Sequence, residues 1–185
     1  MTDRIQCFFL TPSNYAEESF RRYTLSDNLH CPVTRSEHDA ESKLGIKEYS
    51  SEGGGRSTNI VDKSDPRWPT TCRCGYVFKP EDSWLHNLIR LYDGAPLGEK
   101  VTLNKAPVGS MYYADWYDWR GPDGHCLIVV TPGGPWIVDG PSTGHNGPGS
   151  GWTRTGEVPL VTATPSIQQP GVYHGWLRDG WLESC

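Results

Sequence analysis

The chain has 185 residues and a formal net charge of −5, and its length fits one domain with a sizeable buried core. Its 17 basic side chains form no basic stripe, and no apolar run approaches a membrane span, which argues against phosphate-mediated nucleic-acid binding and membrane insertion. The 21 Gly, 15 Pro, 8 Trp and 9 Tyr favour short β-strands joined by ordered loops, and the aromatic content argues against disorder.

The N-terminal region begins with a predicted strand over residues 5–10. Asn14 can cap a helix with Glu17 as its returning partner, so the sequence predicts a short helix over residues 15–23. Residues 24–67 are mostly polar and lack periodicity. Such a loop needs either a tie or a function of its own.

A second helix is predicted over residues 81–92. Pro80 occupies the first helical position, where a missing backbone N–H costs nothing. Trp84, Leu88 and Tyr92 then recur at a spacing typical of one helix face.

From residue 100 onward the pattern is β, because apolar runs alternate with Gly/Pro turns. The predicted strands cover residues 100–103, 111–119, 125–130, 135–139, 159–162 and 172–177. Gly121–Gly124 and Pro132–Gly134 form turns between consecutive strands, and Asp179-Gly180 turns a last hairpin through Trp181. Residues 140–157 are glycine-rich and form a second long loop.

The predicted fold class is therefore mainly β (α+β): a compact domain of short antiparallel strands with one or two short helices. Residues 1–99 form the N-terminal region, with its long loop tied by zinc, and residues 100–185 form the β-rich region. We expect the two regions to fold as one cooperative domain.

The six cysteines point to metal binding or inert burial. The apolar run Cys7–Leu10 is too short for a signal peptide, so we expect synthesis in a cytoplasm, where disulfide frameworks are rare. A protein released by cell lysis can still oxidise afterwards. The states of Cys7, Cys126 and Cys185 therefore stay open.

The strongest chemical signal is a tight cysteine turn, Cys72-x-Cys74, followed by glycine and aromatic residues. With Cys31 and His38 from the long loop, it makes a four-ligand set for a closed structural zinc site. His30 is a rival for the nitrogen ligand because it adjoins Cys31. The alternative is that reduced cysteines pack as small hydrophobic side chains.

Catalysis receives less support, and no catalytic residue is predicted. His125 and Cys126 are neighbours on a predicted strand, so their side chains point to opposite faces and cannot readily act together. A hydrolase would require His145 or His174 to converge with an acid or a thiol.

The tryptophans of the β region allow a carbohydrate-binding interpretation. Trp116 and Trp119 lie three residues apart, and the others are Trp136, Trp152, Trp176 and Trp181. Exposed rings would form a stacking platform, whereas buried rings would be ordinary core, and burial is the favoured interpretation.

Several motifs together carry a resemblance that covers nearly the whole chain. In order they are Ser19-Phe20-Arg21-Arg22-Tyr23, Cys31…His38-Asp39-Ala40, Trp68-Pro69…Cys72-x-Cys74-Gly75-Tyr76-x-Phe78, Trp119-Arg120-Gly121-Pro122-Asp123-Gly124, Thr131-Pro132-Gly133-Gly134-x-Trp136-x-Val138-Asp139-Gly140 and Tyr173-His174-Gly175-x-Leu177-x-Asp179-Gly180-x-Leu182-x-x-Cys185. The set resembles an uncharacterised family of small proteins encoded by tailed bacteriophages and prophages. The resemblance implies a phage context and no particular activity.

Three functions are therefore expected, in this order. The first is a structural or accessory virion protein, assembled in the host cytoplasm, that contacts capsid or tail proteins or further copies of itself. The second is a non-virion phage protein that binds and modulates a host protein. The third is a carbohydrate-binding β module or a hydrolase.

Overall fold

The computed structural model describes residues 4–24, 30–49, 61–141 and 152–185. Within these ranges 49% of the chain is in strands, and one 3-10 turn at Leu103–Lys105 is the only helical element, so the mainly β prediction is confirmed. The described strands are β1 (Arg4–Gln6), β2 (Phe8–Phe9), β3 (Thr11–Tyr23), β4 (Asp39–Glu48), β5 (Ser83–Asp93), β6 (Ser110–Tyr113), β7 (Leu127–Thr131), β8 (Gly134–Ile137), β9 (Thr153–Thr155), β10 (Thr162–Gln169), β11 (Tyr173–Arg178) and β12 (Trp181–Ser184). None of the described segments is a helix long and apolar enough to cross a membrane.

The chain divides into two compact units. The first unit comprises Met1–Thr11 and Tyr92–Cys185, and the second comprises Pro12–Leu91. The first unit thus joins the N-terminal strands to the C-terminal half of the sequence.

The first unit contains two sheets. Five strands pair in the order β1-β12-β11-β10-β9, and four pair in the order β2-β6-β7-β8. Side chains from both sheets, among them Met111, Val129, Ile167 and Leu177, share one buried core. The two sheets therefore pack face to face.

Strand β7 is buried on both of its faces. Leu127 and Val129 face the core shared by the two sheets, whereas Ile128 and Val130 belong to a separate cluster with Leu10. A strand covered on both faces reads as a continuous apolar run rather than an alternation, which explains why its sequence signal is strong.

A buried ion network ties the turn after β6 to strand β9. Arg154 donates from Nε to Asp139 Oδ1 at 2.9 Å and from Nη1 to Asp123 Oδ2 at 3.0 Å. The Arg154 and Asp139 side chains are only 1% and 3% exposed. The hydroxyl of Tyr113 donates to Asp123 at 2.9 Å, and the backbone N–H of Leu127 donates to Asp139 at 2.8 Å. Each carboxylate thus has both a cation and a neutral donor.

The predicted strands over residues 125–130, 135–139 and 172–177 are confirmed within a few residues, as are the Pro132–Gly134 turn between β7 and β8 and the final hairpin. The predicted strand over residues 111–119 is right only at its start, because β6 ends at Tyr113 and a turn follows. Two further predicted strands are wrong. Residues 100–103 make only an isolated bridge at Val101 before the 3-10 turn begins. Residues 159–161 precede β10, because Pro159 has no N–H to donate to a ladder. The predicted loop over residues 140–157 lies mostly outside the described residues, and β9 occupies its end.

The second unit contains a sheet of three strands in the order β4-β3-β5. Strands β3 and β4 form a long antiparallel pair from Tyr15↔Glu48 to Tyr23↔Asp39. Glu18 pairs with Gly45 but Ser19 with Lys43, so Leu44 is the extra residue of a bulge. Gly45 has φ of +113°, a backbone angle that glycine adopts without steric cost.

Both predicted helices are wrong. Residues 15–23 belong to β3 and residues 81–92 overlap β5. The spacing of the apolar side chains of β5 fits both the helical and the strand period, and long-range contacts decide in favour of the strand. Trp84 packs edge-to-face on Trp68 at 5.1 Å, and His86 Nε2 lies 2.8 Å from Glu18 Oε1 on β3.

The predicted structureless stretch 24–67 is also wrong in part, because it contains the ten-residue strand β4. β4 is an edge strand, and most of its side chains are exposed or half-buried. An edge strand that is solvent-exposed on both faces lacks the alternation of apolar and polar residues by which strands are predicted. Residues 25–29 and 50–60 lie outside the described residues.

Candidate metal centre

The first half of the candidate metal centre is the connection between β3 and β4. Thr24 and His38 extend the strand pair, since the N–H of Thr24 donates to the carbonyl of His38 at 3.0 Å. The His38 N–H donates to Thr24 Oγ1, also at 3.0 Å. Between them a tight turn joins Cys31 to Ser36, whose carbonyl accepts the Cys31 N–H at 2.8 Å. Arg35 holds a positive φ of 57° in this turn.

The second half is a small hairpin over residues 70–78. The N–H of Phe78 donates to the Thr70 carbonyl at 2.9 Å, and the N–H of Cys72 donates to the Tyr76 carbonyl at 2.9 Å. Gly75, with φ of +90°, closes the turn by donating to the carbonyl of Cys72 at 2.9 Å. The tight turn explains how two cysteines separated by one residue can face one point.

The structure brings the four predicted side chains together. Their donor atoms all lie within 4.8 Å of one another. Cys31 Sγ is 3.8 Å from Cys72 Sγ, and Cys74 Sγ is 3.2 Å from His38 Nδ1. Two thiolates on a tetrahedral ion with bonds of about 2.3 Å stand about 3.8 Å apart. The cluster could therefore hold a metal ion with little rearrangement.

The cluster is buried beneath aromatic rings. Cys31, Cys72 and His38 are 0%, 4% and 5% exposed. The ring of Tyr76 stacks on His38 with centroids 4.1 Å apart and planes tilted by 10°, and Phe78 packs beside it. Cys74 is half-buried. Four protein donors around one ion would leave no open position for water or substrate.

The surrounding hydrogen bonds favour negative charge on one sulfur. Contacts with the hydroxyl and backbone N–H of Thr34 lower the pKa of the Cys31 thiol to about 6. A hydrogen bond from the Tyr76 backbone lowers the pKa of Cys74, but burial and the neighbouring thiols outweigh it and raise the net value. Three thiols this close cannot all ionise unless a cation compensates their charge.

Sequence reasoning missed Arg22, which holds the base of the 70–78 hairpin. Its Nη2 donates to the carbonyl of Lys79 at 2.6 Å and its Nη1 to that of Pro69 at 3.3 Å. The guanidinium carbon lies 3.6 Å from the ring centroid of Trp84. Arg22 as a whole is only 5% exposed. Phe20 and Arg22 are two residues apart, so in strand β3 their side chains point to the same face of the sheet, and both residues are buried.

The remaining candidates lie apart from the cluster. His30 is exposed and His38 supplies the cluster's nitrogen. Cys7 and Cys126 are buried thiols and Cys185 is an exposed one, none in a disulfide. Burial raises the pKa of Cys126, while His125 hydrogen-bonds Asp115 at 2.8 Å.

Comparisons of this chain with protein-family models, curated proteins and solved structures returned no match. The interpretation of the site therefore depends on its donor set and geometry.

Proposed function

We propose that the chain is an accessory structural protein of a tailed-phage particle whose second unit is stabilised by one zinc ion. The observation that carries the proposal is the convergence of Cys31, His38, Cys72 and Cys74, of which all but the half-buried Cys74 are buried. Three thiolates and one imidazole suit zinc and do not suit magnesium or calcium, which prefer oxygen. A closed site stabilises structure and leaves no position for a reacting molecule.

Zinc has a clear structural task in the second unit. The buried apolar side chains described there are few: Ala16, Phe20, Cys31, Trp68, Cys72, Phe78 and Leu91. A small core gains much from a metal that joins two loops, because the free energy of metal binding then adds to the free energy of folding. The ion would join the β3–β4 connection to the 70–78 hairpin.

The motifs behind the phage resemblance support a structural role. The Tyr173–Leu182 motif builds the β11–β12 hairpin, and Asp123 and Asp139 of two further motifs bind Arg154. The cysteine motifs build the metal cluster. These residues shape the fold, as expected of a protein whose task is to present surfaces to partners such as capsid or tail proteins.

The zinc part is tested by elemental analysis of the purified chain. We expect one zinc per chain, lost in Cys72→Ser and retained in Cys185→Ser, since Cys185 is exposed and outside the cluster. Absence of zinc from the wild-type chain, or equal loss in both variants, would refute the site.

The virion part is tested by mass spectrometry of tailed-phage particles purified from a host that carries this gene. We expect the chain among the particle proteins at a fixed ratio to the major capsid protein. Absence from the particle, combined with recovery of one host protein on the tagged chain, would favour the host-modulator alternative instead.

A further inference from the structure

A ladder of four aromatic rings lies in the first unit, on strand β6 and the turn that follows it. Tyr112 stacks at 6.5 Å on Trp116, which lies 6.0 Å from Tyr117, and Tyr117 stacks at 5.3 Å on Trp119. We call Trp116, Tyr117 and Trp119 the aromatic platform. It lies outside the metal centre, and the proposal below is independent of zinc.

The platform is exposed to an extent unusual for its residue types. Trp116 is 62% and Trp119 is 38% exposed, although tryptophan is on average highly buried in folded proteins. Exposed adjoining aromatic rings mark a surface that is covered in the functional state. Trp116 and Trp119 therefore depart from the burial favoured by the sequence.

The turn beneath the platform is held rigid by Arg120. Its guanidinium donates to the carbonyls of Tyr117, of Trp119 at 2.7 Å and of Asp115 at 3.3 Å. The Tyr117 N–H donates to the Ala114 carbonyl at 3.0 Å. A preorganised turn loses little conformational entropy when a ligand binds.

Two acidic residues, Asp115 and Asp118, adjoin the platform residues in the chain. Asp118 is exposed between Tyr117 and Trp119. Asp115, 47% exposed, accepts from the backbone N–H of Cys126 at 3.2 Å and lies 2.8 Å from His125 Nδ1. Carboxylates repel phosphate groups and accept hydrogen bonds from hydroxyl groups.

We propose that the aromatic platform binds a neutral oligosaccharide. The C–H faces of two sugar rings carry partial positive charge and stack on the negative faces of Trp116 and Trp119. Sugar hydroxyls donate to the carboxylate of Asp118. A polyproline peptide could stack on the same rings, but it has no internal backbone N–H to donate to the carboxylates.

The test is titration of the full chain with cellohexaose, maltohexaose and chitohexaose, followed by calorimetry and tryptophan fluorescence. At least one sugar should bind reversibly, and Trp116→Ala should weaken that binding by about tenfold, as expected for loss of one stacking ring. Trp176→Ala is the matched control, because Trp176 lies on β11 beneath Arg178. It should leave the affinity unchanged.

A second variant separates folding from binding. Trp116→Phe keeps a ring, so it should retain more affinity than the alanine variant at an unchanged melting temperature. The proposal is overturned if no sugar binds at about 1 mM, if Trp116→Ala and Trp176→Ala behave alike, or if decaproline binds and the sugars do not.

Discussion

Arg22 shows how a single buried side chain can organise a site that it does not enter. Its guanidinium donates to carbonyls at both ends of the 70–78 hairpin and stacks on Trp84. Burial lowers the pKa of Arg22, and the carbonyls and the ring compensate part of the lost hydration. The hairpin that carries Cys72 and Cys74 is thus fixed at its base by strand β3.

We expect Arg22→Ala to lower the free energy of unfolding by about 2–4 kcal/mol, since hydrogen bonds to a charged group and buried packing are both lost. Urea unfolding would measure the change. Arg73→Ala is the matched control, because Arg73 is exposed on the same hairpin, and it should change stability by less than about 0.5 kcal/mol. Equal effects of the two substitutions would contradict the role assigned to Arg22.

Arg154 has the corresponding role in the first unit. Arg154→Leu leaves the Asp139 carboxylate buried without its cation, so we expect a loss of about 3–5 kcal/mol. Arg178 is the control, because its side chain is 51% exposed and its Nη1 lies 3.7 Å from Glu183 Oε2. Arg178→Ala should lower the free energy of unfolding by much less than Arg154→Leu does. Chemical denaturation of both variants makes the comparison, and a mild effect of Arg154→Leu would show that the network contributes little.

The same network predicts acid sensitivity. Arg154 holds the pKa of Asp123 well below its usual value of about 3.9, so this contribution to stability is full above that value and is lost as the pH falls further. The difference in unfolding free energy between wild type and Asp123→Asn should therefore shrink below about pH 4. Denaturation at several pH values tests this, and a constant difference down to pH 2 would contradict it.

At the scale of elements, the sequence predicts buried strands well and solvent-exposed strands poorly. β7 is found from its apolar run, because both of its faces are covered. β4 is missed because it is an exposed edge, and β3 is mistaken for a helix because Asn14 and Glu17 mimic a capping box. In the structure the Asn14 carbonyl accepts the Tyr49 N–H at 2.8 Å, a contact that depends on a distant strand.

The residues of the candidate site also fall into two groups: those that a local sequence pattern predicts and those that depend on long-range contacts. The Cys72-x-Cys74 spacing predicts a turn, because the two cysteines are close in the sequence. The choice between His30 and His38 depends on the pairing of Thr24 with His38, which no local pattern contains. Arg22 is missed for the same reason, since its partners lie on a segment far along the chain.

The proposed metal would link two elements, so its removal should loosen both. In Cys72→Ser we expect faster amide hydrogen exchange in residues 31–38 and 72–78, and unchanged exchange in β7, whose amides lie in the core of the first unit. Cys126→Ser is a control for loss of a buried thiol outside the cluster. Faster exchange spread evenly over the chain would mean that the cysteine contributes only general packing.

At the scale of the whole molecule, the two units differ in what stabilises them. The first has two sheets around a shared apolar core. The second has a three-stranded sheet and a small core in which cysteines take the place of larger apolar side chains. We infer that the first unit depends on burial and the second on metal.

X-ray absorption at the zinc edge tests this account most directly. The purified full chain should show one zinc with three sulfur ligands at about 2.3 Å and one imidazole nitrogen at about 2.0–2.1 Å. Cys31, Cys72, Cys74 and His38 would supply that set. A chain that folds without bound metal, or a zinc shell with fewer sulfurs and added oxygen ligands, would contradict the proposed centre.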